Sequence, residues 1–276
     1  MKQLTSFYDI FLNPCRRWLV RHLKLLIVIT TYCRDHLVML ALYLFGPVKA
    51  EDHYKGTVYV YEVPVRIWHW VNAIAILVLC VTGWFIGNPP PSMQLGEATQ
   101  QFAFGYIRFT HFAAAMIMTI GFGGRVYWAF KGNHHARQLF ILPLLDKNWW
   151  SEVLFEIRWY LFLEKEPKKY VGHNPLAQAS MFTFVTLGMI FMISTGFALY
   201  AEALGSDHWL SVLFSPVKYF VNNSQLLRTI HSLGMWIIII FSMIHIYLAI
   251  REDIMSRQTI VSSMISGYRT FKDDRP

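Results

Sequence analysis

Residues 229–250 read TIHSLGMWIIIIFSMIHIYLAI, a run free of Asp, Glu, Lys and Arg with a histidine towards each end. As a helix rising ~1.5 Å per residue it covers the ~30 Å of a bilayer's hydrocarbon core. The segment therefore predicts a membrane span. Three more stretches pass the same test. Residues 67–87 (IWHWVNAIAILVLCVTGWFIG) and 176–201 carry none of the four charged types, and 109–130 has only Arg125, close enough to the end to snorkel. Composition agrees: 55% of residues are hydrophobic and 15% charged, against roughly a quarter charged in a soluble domain. The predicted fold is an all-α integral membrane protein built on four transmembrane helices.

The stretch 25–45 is long enough but places Arg34, Asp35 and His36 at its centre, where Arg and Asp each cost ~2.5–3.5 kcal/mol to insert. Residues 1–55 are therefore read as a non-spanning N-terminal extension, and 56–276 as the membrane domain. No small-residue cleavage site follows an uninterrupted apolar region, so a cleavable signal peptide is not expected.

The formal charge of +8 would suggest nucleic acid in a soluble protein. In a membrane chain it reports topology instead, and no nucleic-acid-binding motif is present. Lys and Arg number nine in 1–66, seven in 131–175 and five in 251–276, against one in 88–108 and two in 202–228. Both termini and the 131–175 connection are thus expected in the cytoplasm. That connection contains WWSEVLFEIRWYLFL, which reads as an interfacial amphipathic helix or, equally, as a solvated helix at the mouth of the bundle. Cys15, Cys33 and Cys80 form no C-x-x-C pair, so any metal must be held by histidine.

Four histidines fall within the spans: His69, His111, His231 and His245. His231 and His245 are fourteen residues apart on one helix, which returns them to within ~40° of one face and separates them by ~21 Å. With spans alternating in direction, His111 shares the depth of His231 and His69 shares the depth of His245. Two imidazoles at one depth suit the axial positions of a six-coordinate haem iron, whereas zinc would demand further ligands there. Arg66, Arg108 and Arg228 each precede a span histidine by three residues (RIWH, RFTH, RTIH). That spacing puts a guanidinium on the histidine's face, one turn nearer water, where it can hold a haem propionate or simply snorkel. Arg251, six residues after His245, supplies the fourth corner. Gly83, Gly121, Gly123, Gly124, Gly188, Gly196 and Gly234 offer close approach to a neighbouring helix or a flat macrocycle. His22, His36, His53, His134, His135, His173 and His208 lie outside the spans and are assigned surface or interface roles.

The motifs YEVPVRIWHWVNAIAILVLCVTGWFIGNPPP, GYIRFTHFAAA, EIRWYLFLEKEPKKYVGHNPLAQASMF, STGFALYAE and HSLGMWIIIIFSMIHIYLAIREDIMS resemble, in order from about residue 56 to the C-terminus, the b-type cytochrome subunit of membrane-bound [NiFe] hydrogenases. Residues 1–55 depart from that pattern. The resemblance implies a di-haem b bundle in the bacterial cytoplasmic (inner) membrane that anchors the hydrogenase small and large subunits. Its ligand positions fall on His69, His111, His231 and His245. It also implies electron flow from the small subunit's iron–sulfur clusters through the outer and then the inner haem to menaquinone or ubiquinone, with no chemistry on H2 in this chain. Glu252 and Asp253, just beyond His245, are candidates for proton delivery to that quinone, or two solvated carboxylates. A cytochrome b subunit of a formate dehydrogenase or thiosulfate reductase, and a haem-free anchor or transporter, are the competing expectations.

Overall fold

The computed structural model describes residues 56–91 and 102–271. The extension 1–55, including the 25–45 stretch, lies outside the described residues. The chain divides into two compact units, and the one described below comprises 49–142 and 146–276.

Four helices are long and apolar enough to cross a membrane: α1 (Val63–Gly87), α2 (Ala103–Lys131), α5 (Pro175–Leu204) and α8 (Ser224–Met255). Each outruns its predicted span because hydropathy stops at the first charge, whereas helical hydrogen bonding continues to a cap. Pro64 opens α1 behind Glu62, and Asn88 closes it. The Asn223 side chain accepts from the Gln225 and Leu226 amides at 2.8 and 3.1 Å to start α8. These extra turns carry Arg66, Arg108, Arg228 and Arg251 on the helices themselves. Large apolar side chains such as Ile74, Leu77, Ile120, Ile240 and Met243 point outwards, as lipid as a solvent requires.

Shorter elements close the ends: α3 (His134–Arg137), α4 (Lys147–Tyr160), α6 (Trp209–Leu213), α7 (Ser215–Phe220) and α9 (Ile260–Ser266). The largely helical architecture agrees with the sequence, but a two-stranded antiparallel sheet is added, β1 (Gly56–Tyr59) against β2 (Tyr268–Phe271). α1 packs along α2, and α5 along α8. Ala75, Met118 and Met189 form a core where α1, α2 and α5 meet.

Two features depart from the sequence expectations. Within α5, residues Met181–Leu187 form a π-helical segment. There Thr186 Oγ1 donates to the Leu139 carbonyl at 2.8 Å, and Phe184 stacks on Phe241 of α8 at 5.0 Å. Arg125 does not snorkel. It is 4% exposed, donates through Nη2 to the Ala136 carbonyl at 2.6 Å, and its guanidinium stacks on Trp68 and Phe140. The chain turns back through α3, so a carbonyl reaches the cation before water does.

The start of α1 is tied to the end of α2 by Glu62, whose Oε2 accepts from Trp128 Nε1 (3.0 Å) and the Asn133 amide (2.8 Å). Gly132 is required beside it: a Cβ there would lie 2.5 Å from the same oxygen. His135 and His173 belong to this packed end rather than to a free surface. Burial, and after it neighbouring cationic groups including Arg269, push His135 down to about 4 and His173 down to about 3, so both are neutral.

Candidate functional site

α2 and α8 each carry one histidine of the first pair, His111 and His231. Both line one cavity of about 900 Å³, together with Arg108 and Arg228 from the same helices.

Each ring is held in the same way by a helix that contributes no ligand to the pair. Thr82 Oγ1 of α1 lies 2.8 Å from His111 Nδ1. Thr195 Oγ1 of α5 lies 2.8 Å from His231 Nδ1. Both hydroxyls donate to a carbonyl one turn back in their own helix, Thr82 to Val78 (2.6 Å) and Thr195 to Phe191 (2.8 Å). With its proton so committed, each Oγ1 presents a lone pair to the ring and assigns the hydrogen to Nδ1. Nε2 is then the unprotonated nitrogen of both rings, the form a metal requires.

The residue after each threonine is the glycine that lets the ring approach. A Cβ at Gly83 would sit 3.3 Å from His111 Cε1, and one at Gly196 would sit 3.2 Å from His231 Cε1. Gly121 and Gly234 instead accommodate side chains of adjacent helices, and a Cβ at Gly123 or Gly124 would meet nothing within 4 Å. Sequence reasoning missed the threonines. The signal was the Thr-Gly dipeptide recurring in the first and third spans, VTGWF and STGFA.

The second pair expected from the sequence is His69 of α1 and His245 of α8. The His245 ring stacks on Phe241 at 5.9 Å, and Phe241 stacks in turn on Phe184 of the π segment. His69 Nδ1 is buried without a hydrogen-bond partner, so this pair has no counterpart of the threonine device on that ring.

The four arginines separate into two kinds. Arg108 and Arg228 line the cavity of His111 and His231. Arg66 donates to the Ile265 carbonyl. Arg251 stacks over Trp159, Tyr160 and Phe162 at 4.9, 5.2 and 4.8 Å and reaches the Trp159 carbonyl at 3.4 Å. The Glu252–Asp253 pair is also split: Glu252 is buried, whereas Asp253 accepts from the Val261 amide at 3.0 Å.

This donor set fits haem b. In His111 and His231 it provides two imidazoles with Nδ1 engaged and Nε2 free, a glycine against each ring edge, and two guanidinium groups lining the same cavity. Among the described residues no three His, Cys, Asp or Glu side chains converge on a single metal position.

Comparison with known proteins agrees with this chemistry. Residues 60–267 match the family model described as prokaryotic cytochrome b561. A Rhodobacter capsulatus protein named "probable Ni/Fe-hydrogenase B-type cytochrome subunit" is 64% identical over 80% of this chain and 84% of its own length. Similarly named proteins of Cupriavidus necator and Escherichia coli K12 are 54% and 50% identical over 83% and 78% of the chain, and over 93% and 91% of their own lengths. The chain is an integral membrane b-type cytochrome and belongs to the prokaryotic cytochrome b561 family, among the B-type cytochrome subunits of Ni/Fe hydrogenases.

Proposed function

We propose that this chain carries electrons across the membrane from the iron–sulfur small subunit of a [NiFe] hydrogenase, through two b haems, to menaquinone or ubiquinone, and that it anchors the small and large subunits. His111 and His231 hold the outer haem, and His69 and His245 the inner one. When bound, each haem iron supplies reversible one-electron transfer. The residues of the chain prepare for that group. Thr82 and Thr195 fix the imidazole tautomers, Gly83 and Gly196 admit the rings, and Arg108 and Arg228 place positive charge where outer propionates would lie. The distribution of Lys and Arg supports a bacterial cytoplasmic membrane topology with both termini inside.

The observation that carries this reading is the matched pair of 2.8 Å threonine–histidine contacts on two histidines that line one cavity. The decisive experiment is the absorption spectrum and iron content of the purified complex, reduced with H2 and reoxidised with quinone. Two bis-histidine b haems that follow both reagents are expected. A colourless, iron-free preparation after haem supplementation overturns the proposal.

A further inference from the structure

We propose that Glu156 of α4 and Glu252 of α8 form a proton-binding site at the end of the bundle that holds His69 and His245, gaining a proton when an electron arrives there and losing it when the electron leaves. This rests on the two-haem reading above.

The site follows from the pattern of α4. Its buried positions are Trp149, Val153, Glu156 and Trp159, a helical stripe in which a carboxyl stands where an apolar side chain is expected. Glu156 is 1% exposed, and the Tyr170 hydroxyl, the group placed to serve it, donates to Glu152 instead, which leaves both Glu156 oxygens without a well-formed hydrogen bond among the described residues. A carboxylate so placed is costly, whereas the acid is not. One turn on, Trp159 Nε1 donates to Glu252 Oε2 at 3.2 Å, which fixes the second buried carboxyl against the same stripe.

The other charged and titratable groups around the pair are already engaged. Glu152 is neutralised by Lys168 at 2.8 and 3.0 Å and accepts from the Tyr170 hydroxyl at 2.7 Å. The Tyr160 hydroxyl accepts from Asn174 Nδ2 at 3.1 Å. Arg251 lies on its three aromatic rings, and Arg269 donates to the carbonyls of Tyr170 and Gly172 at 2.8 and 2.5 Å. No ion pair reaches Glu156 or Glu252 among the described residues. Two neighbouring buried carboxyls that form no direct ion pair do not both ionise. Burial first, and the Glu252 charge second, push Glu156 up to about 8, so in neutral solution the pair holds one proton and keeps one carboxylate free to take a second.

Glu252 lies seven residues beyond His245 on α8, ~10 Å along the axis. An electron delivered to the inner haem adds negative charge at that range and raises the proton affinity of the pair. One proton from water then forms one carboxyl O–H bond per electron received. That bond breaks, returning the proton, when the electron passes on, and the net charge of this end stays constant.

The test is spectroelectrochemical titration of both haems in the purified protein between mildly acidic and mildly alkaline pH, combined with redox-difference infrared spectra. In the parent, the reduction equilibrium of the inner haem shifts towards tenfold per pH unit, about 59 mV, and a protonated-carboxyl band accompanies its reduction. Glu156→Gln, and independently Glu252→Gln, abolish the slope and the band while the outer haem is unchanged. Two haems whose slopes and bands survive both substitutions overturn this inference alone. A preparation that never takes up haem overturns the underlying two-haem reading with it.

Discussion

Replacing Thr195 by valine keeps the shape of the side chain and removes only its oxygen. The His231 Nδ1 hydrogen then loses the acceptor now at 2.8 Å, at a position between α5 and α8 where Thr195 is buried. An unsatisfied buried donor costs ~1–3 kcal/mol, which corresponds to ~5–150-fold weaker retention of the outer haem. Outer-shell partners of metal-bound histidines typically govern ~10–100-fold in affinity, so two routes to the magnitude agree. The assay is haem titration into haem-depleted protein, followed by absorbance and by the potential of each haem. Thr82→Val should weaken the same haem, because Thr82 holds the other ring of that pair. Thr195→Ser should restore affinity, and the inner haem serves as the internal control. If Thr195→Val binds haem and poises it as the parent does, the threonines do not orient the ligands.

Alanine at His111 or His231 should remove the outer haem, and alanine at His69 or His245 the inner one while leaving the outer reducible by H2; haem-resolved redox spectra of the four variants check both. Arg108→Gln with Arg228→Gln removes positive charge from the outer cavity and should lower the midpoint potential of that haem alone, measured by potentiometry. Arg125→Ala strands the Ala136 carbonyl and empties the space between Trp68 and Phe140; a loss of ~1–3 kcal/mol should appear in thermal unfolding in detergent. Glu156 holds its proton up to about pH 8 when folded, whereas an ordinary Glu releases it near ~4.3. Between those values the unfolded chain has fewer protons bound, so stability falls as pH rises through the interval. Glu156→Gln should remove that slope, and its unfolding temperature should exceed the parent's increasingly from pH 5 to pH 8.

The spans were legible because lipid imposes one rule, length without charge, that a sequence satisfies or fails openly. The phase of His231 and His245 on one helix was legible for the same reason: fourteen residues nearly close a whole number of turns. What escaped depended on returns of the chain. Arg125 is near a helix end and so looked free to reach water, yet α3 folds back and offers it the Ala136 carbonyl. The π segment is associated with Thr186 bonding to Leu139 and Phe184 stacking on Phe241, partners distant in sequence. Glu156 stood on the apolar stripe of its helix throughout, but a glutamate in an amphipathic segment reads as the solvated pole until its neighbours are known. Arg251 is drawn to aromatic rings from α4 and the loop after it, which no spacing along α8 announces.

The duplicated Thr-Gly device has a consequence for assembly. α1 with α2 and α5 with α8 are two helical hairpins, and each contains both an imidazole and the hydroxyl that orients it. Each half can ready its own ligand as soon as its two helices dock in the bilayer, before the other half is in place. The porphyrin would then act as a clasp between prefabricated parts, and its insertion would require the hairpins to meet without remoulding either one.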